Sequence, residues 1–175
     1  KLRVKTSTVT IEDKGNNLMT FPKPTAYDAK TYITSIADAC GNAATYGFTG
    51  SVLNTVTDGA GRITTYAYTN DLLTSISAPG CPVVSFAYDG EKLASIGYSD
   101  LASGGTTFAY DGATNMLASA TNFDGVSVNL TYTEEGKFDP ACVQDYAAQQ
   151  RKVTSMELKN GAVCGAKRTF DYDGC

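Results

Sequence analysis

Phe86-Ala87-Tyr88-Asp89-Gly90 and Phe108-Ala109-Tyr110-Asp111-Gly112 are almost the same five residues, set 22 positions apart. Looser copies are Tyr46-Gly47-Phe48-Thr49-Gly50, Tyr66-Ala67-Tyr68-Thr69-Asn70, Leu130-Thr131-Tyr132-Thr133 and Phe170-Asp171-Tyr172-Asp173-Gly174. The second aromatic falls at 48, 68, 88, 110, 132 and 172, in steps of 20, 20, 22, 22 and 40, the last covering two steps with one degenerate copy. One further step of 21 back from Phe48 reaches Tyr27, within Ala26-Tyr27-Asp28. A fixed period decides the fold before any other signal, because each unit is a small motif that buries its face only against its neighbours. The recurring aromatics Tyr27, Phe48, Tyr68, Tyr88, Tyr110, Tyr132 and Tyr172 are thus the candidate structural residues.

Each unit reads as a β-hairpin. In residues 62–78, Ile63-Thr64-Thr65-Tyr66-Ala67-Tyr68 is the outgoing strand, Thr69-Asn70-Asp71 turns, and the return strand carries Ile76 as its apolar anchor. The sharper copies turn at Asp89-Gly90 and Asp111-Gly112, where glycine supplies the positive φ a tight hairpin demands. Return strands carry Leu53-Asn54-Thr55-Val56, Leu93-Ala94-Ser95-Ile96, Leu117-Ala118-Ser119-Ala120 and Val153-Thr154-Ser155-Met156. Asp38-Ala39-Cys40-Gly41-Asn42 and Asp58-Gly59-Ala60-Gly61-Arg62 are turns between units. Strand alternation places Tyr66 with Tyr68, Phe86 with Tyr88 and Phe108 with Tyr110 on one face, and Ala67, Ala87 and Ala109 on the other. The expected fold is all-β: antiparallel hairpins of about 20–22 residues stacked into a twisted, coiled sheet. About 15 strands at about 4.8 Å would span roughly 70 Å, beyond the width at which open sheets stay flat.

Two segments leave the rhythm. Residues 1–24 read as an N-terminal edge segment: one strand over 1–13, with Lys5 guarding its edge, then a turn at Gly15-Asn16-Asn17 and ladder-breaking Pro22 and Pro24. The repeat array occupies 25–175, with a loop inserted at 134–152 whose Ala/Gln-rich half suits a short helix. An insertion in an array marks an interaction face.

Composition narrows the function. The net charge of −4 argues against nucleic acid, and no apolar run approaches a membrane span. The chain starts at Lys1 rather than Met, as a processed or excised product would. There are 5 Cys and no His. Without His, Cys40, Cys81, Cys142, Cys164 and Cys175 give no support to a zinc site, and in a strand-and-turn chain they suit an oxidising, extracellular setting with disulfides. Cys40 and Cys81 occupy one loop phase two repeats apart, about 19 Å of strand spacing, too far to bridge. Cys142 on the insertion is freer to meet Cys164 or Cys81, and Cys175 suits an intermolecular bond. Asn129-Leu130-Thr131 is a glycosylation sequon placed mid-strand.

Catalysis needs a positioned base, nucleophile or metal. Glu134-Glu135 and the pair Asp171 and Asp173 read as turn residues. The oxygens around Asp111 and Asn122 lack EF-hand spacing and read as Asx turns. No enzyme activity, catalytic residue, metal or cofactor is expected.

Asp58-Gly59-Ala60-Gly61-Arg62-Ile63-Thr64-Thr65-Tyr66-Ala67-Tyr68-Thr69, followed by Leu73-Thr74-Ser75-Ile76, resembles the YD repeat of RHS proteins, and residues 38–48 are a second match. The resemblance covers 27–175. That family includes bacterial RHS toxins, shell subunits of toxin complexes and animal teneurins, whose repeats spiral into a hollow shell that encloses a toxic polypeptide or presents adhesive surfaces. The family's Asp-Pro-x-Gly-Leu cleavage segment is absent here, since Asp139-Pro140 runs into Ala141-Cys142. The resemblance implies a non-enzymatic extracellular module that builds a shell, stalk or filament. Its partners would be neighbouring YD repeats or copies joined end to end through strand edges. Two alternatives stand beside it: a glycan- or receptor-binding adhesion module at the cell surface, using the aromatic ladder or the insertion, and a fragment of a toxin-encapsulating shell.

Overall fold

A computed structural model describes residues 1–27, 29–101, 104–132 and 152–171. Most of the insertion, Cys142, Cys175 and Tyr172 lie outside these residues. Among the described residues there is no helix, and 15 strands form one open antiparallel sheet in sequence order. The chain clusters into two compact units, residues 1–85 and 86–175.

The first unit opens with β1 (Leu2–Val4), β2 (Thr8–Glu12) and β3 (Leu18–Pro22). Residues 1–13 are therefore a hairpin rather than the single strand expected from their sequence. The turn at Thr6-Ser7 contains no glycine, so it carries no signal in the sequence. It sets Leu2 opposite Ile11 and Val4 opposite Val9, which explains why the apolar alternation slips between Val4 and Val9. Pro22 closes β3, where its missing N–H costs the ladder least.

Next come β4 (Ser35–Ala37) and two full hairpins: β5 (Ala43–Thr49) with β6 (Val52–Thr57), and β7 (Ile63–Thr69) with β8 (Leu72–Ser77). Their two-residue turns follow the twist rule for hairpins. Gly50 leads one with φ 61°, while Asn70 and Asp71 both adopt positive φ, 51° and 63°, in the other.

β9 (Val84–Asp89) leads into the second unit, which continues with β10 (Lys92–Tyr98), β11 (Thr106–Tyr110), β12 (Leu117–Thr121), β13 (Val126–Tyr132), β14 (Val153–Asn160) and β15 (Val163–Thr169). The Gly90 turn is tight, with φ 62°. Asp111-Gly112 is not a second copy of it. Tyr110 pairs with Leu117, leaving a six-residue loop in which Asn115, not Gly112, takes positive φ. Asp111 drives that loop: its Oδ1 accepts the N–H groups of Ala113 and Thr114, which competes with the tight turn. The sequon asparagine, Asn129, sits mid-strand in β13.

The expected faces are present. Along β7 and β9, Tyr66, Tyr68, Phe86 and Tyr88 are half-buried, while Ala67 and Ala87 are exposed. No side chain among the described residues is fully buried. The sheet is thus held by its ladders and by cross-strand pairs worth about 0.2–1 kcal/mol each rather than by a closed core.

Candidate functional site

The repeated hairpin contains a device that the period alone does not disclose. Tyr46 faces Val56 and Phe48 faces Leu53; Tyr66 faces Ile76 and Tyr68 faces Leu73. The aromatics are two residues apart, yet their partners are three apart. A β-bulge absorbs the extra residue, at Asn54 and Thr74 in the first unit and at Ala118 and Thr154 in the second. The bulge brings both apolar anchors onto the aromatic face.

Past the bulge the ladder to the next hairpin stops early. β12 and β13 pair only from Ser119 to Thr121, so the Leu117 carbonyl has no strand partner there. The Tyr132 hydroxyl donates to it at 2.8 Å. Tyr110 does the same for Leu93, at 2.9 Å. Tyr110 and Tyr132 therefore carry a polar tip that satisfies a return-strand carbonyl of the preceding hairpin, in β12 the one that its bulge leaves open.

In the first unit the chain between Pro22 and β4 crosses the aromatic face. Thr31 Oγ1 donates to the Pro22 carbonyl at 3.0 Å, and Thr34 donates to the Thr20 carbonyl through both N–H and Oγ1, at 2.8 and 3.1 Å. This strap lays Tyr32 on Phe48, with ring centroids 5.0 Å apart and planes 26° apart. An open cleft of about 440 Å³ lies beside the stacked pair, lined by Lys23, Lys30, Tyr32, Tyr46 and Phe48 among others.

The candidate aromatics thus separate. Tyr68, Tyr88, Tyr110 and Tyr132 occupy strands, and Phe48 does so at the cleft. Tyr27 does not: it lies in a turn of the strap, wholly exposed, and Tyr32 is the ring that meets Phe48. The period fails at Tyr27 because the proline-bearing strap replaces a strand. Cys40, Cys81 and Cys164 are exposed free thiols, so none of them forms a disulfide among the described residues.

The turns between hairpins share one construction. Asp38 Oδ1 accepts the N–H groups of Cys40 and Asn42, and its Oδ2 accepts the Asn42 side chain. Asp13 and Asp58 repeat this with Asn17 and Arg62. These donors hold each carboxyl below its ordinary pKa: the Asn17 and Asn42 side chains first for Asp13 and Asp38, and the Arg62 N–H first for Asp58. Asn122 makes the same loop with an amide oxygen, accepting from Asp124 and Val126. The signal was in the sequence as Asp or Asn followed by Gly or Asn three residues on. Among the described residues no three His, Cys, Asp or Glu side chains converge as metal ligands would.

No protein-family model matches the chain, and no curated protein matches it significantly.

Proposed function

We propose that this chain is a YD-repeat β-sheet module with a structural, non-enzymatic role outside the cell, where stacked hairpins build a shell, stalk or filament. The observation that carries the reading is the strand order. Among the described residues β1 and β15 each pair on one side only, so both outer edges of the described sheet offer unpaired backbone groups. Exposed apolar side chains accompany them: Leu2 is 65% exposed, Val4 60% and Val163 70%. Natural sheets normally blunt such edges, and an edge left open is a template for another strand. The joining strand belongs to a further YD repeat or to a second copy. The bulge and tyrosine lock support this reading, because the device is complete only when one hairpin follows another. Light scattering over a concentration series tests it, with growth in mass and elongated or closed particles in electron micrographs expected. A monodisperse monomer at the highest concentration would count against it.

The cleft favours a second reading, an adhesion module that recognises a glycan. Its rings are accessible beside free polar groups, as a saccharide site requires.

A further inference from the structure

We propose that the cleft beside the strap binds a short acidic saccharide, with a hexuronate ring stacked on Tyr32 and its carboxylate held between Lys23 and Lys30. The proposal names the site and ligand class of the second reading and rests on it. The cleft's volume, about 440 Å³, lies within the range of small-ligand sites. Tyr32 stacks on Phe48 and is still 36% exposed, so it offers a preorganised outer ring face. The apolar C–H face of a pyranose suits such a ring, and Tyr supplies a polar tip beside it.

Charge selects among sugars. Lys23 and Lys30 both line the cleft and are exposed, and among the described residues neither side chain has a hydrogen bond or ion pair and none of those lining the cleft is acidic. The whole chain carries −4, so this local pair of cations stands against the general sign. Attraction between exposed charges fades over about 8 Å in physiological salt, so a short ligand profits from the two lysines while a long polyanion meets the acidic remainder. A peptide fits less well. Extended peptides add to a long free strand edge, whereas here β4 covers β3 over Leu18–Thr20 and β5 over Ala43–Thr45, and only the short strand ends beyond them reach the cleft, beside its ring faces.

Isothermal titration with tri-galacturonic acid, its carboxyl-reduced neutral counterpart and an Asp/Glu-rich peptide tests the proposal. It is run at dilute protein concentration, so failure here leaves the self-association reading intact. The acid is expected to bind and the neutral trimer at least tenfold more weakly. Lys23→Gln with Lys30→Gln should weaken the acid tenfold or more with unchanged circular dichroism, as should Tyr32→Ala, while Lys92→Gln in the second unit leaves binding unchanged. Binding of the neutral trimer without the acid's advantage would overturn the charge assignment while leaving a glycan site. Binding of the peptide alone, indifference to the lysine pair, or no binding of either trimer would each overturn the proposal, the last taking the second reading with it.

Discussion

A phenylalanine at the second aromatic position fills the same space as tyrosine but leaves the neighbouring bulge carbonyl without a donor. Tyr132→Phe should therefore cost about 0.5–1.5 kcal/mol, the net worth of one hydrogen bond, measured by chemical denaturation. No change would show that water serves the Leu117 carbonyl equally well. Where the protein itself uses Phe48, the strap places Tyr32 on the ring instead. Asn54 tests the other half of the lock: its side-chain oxygen is buried with no partner, whereas Thr74 at the equivalent bulge donates to the Ala67 carbonyl at 3.2 Å. Asn54→Thr is expected to stabilise by about 1 kcal/mol by removing an unsatisfied acceptor; a lower melting temperature would contradict this. The carboxylate turns give a pH prediction. Asp13 and Asp38 have folded pKa values below the ordinary 3.8, so their stabilisation is whole above that value and is lost as pH falls through the lowered one. Asp13→Asn with Asp38→Asn, which copies the amide that Asn122 already uses, should keep the turns and make acid unfolding shallower. An unchanged acid limb would assign that loss to other carboxylates. Tyr-Asp-Gly was visible in the sequence as rung and turn, but the hydroxyl's task was not, since it depends on a carbonyl exposed by another hairpin.

At the scale of the element, the hairpins and their faces were legible because strand alternation is local. The Leu-x-x-Ile spacing was visible as well, and its three-residue step on a two-residue period is itself the mark of a bulge. The N-terminal hairpin was hidden because Thr6-Ser7 is an unmarked turn, and the Asp111 loop because an Asx turn competes with Asp-Gly for the same residues. The strap escaped because Pro22 and Pro24 reveal where a strand ends, not where the following chain lies. Gly105, just before β11, shows how close two strands come in the second unit: a Cβ there would run into the backbone of Ile96. Gly105→Ala should destabilise by about 1–3 kcal/mol or more through forced backbone movement, with loss of amide protection along β10 and β11. Gly112→Ala, which meets open space without positive φ, is the matched control and should be nearly silent.

For the molecule as a whole, the sheet's outer strands carry the functional argument. An all-β array of this kind was foreseeable from the period, whereas the character of its edges emerged only from pairing: β1 is a short strand with exposed Leu2 and Val4 and, among the described residues, a partner on one side. If edge addition is the protein's way of assembling, a charge placed on each edge should block it, since a buried lysine at a strand junction is costly. Sedimentation velocity of the native chain beside Val4→Lys with Val163→Lys is the most direct test. Concentration-dependent higher species are expected for the native chain and a single slow monomer for the variant. A native chain that stays monomeric throughout, or association that ignores both edge lysines, would contradict assembly by edge addition.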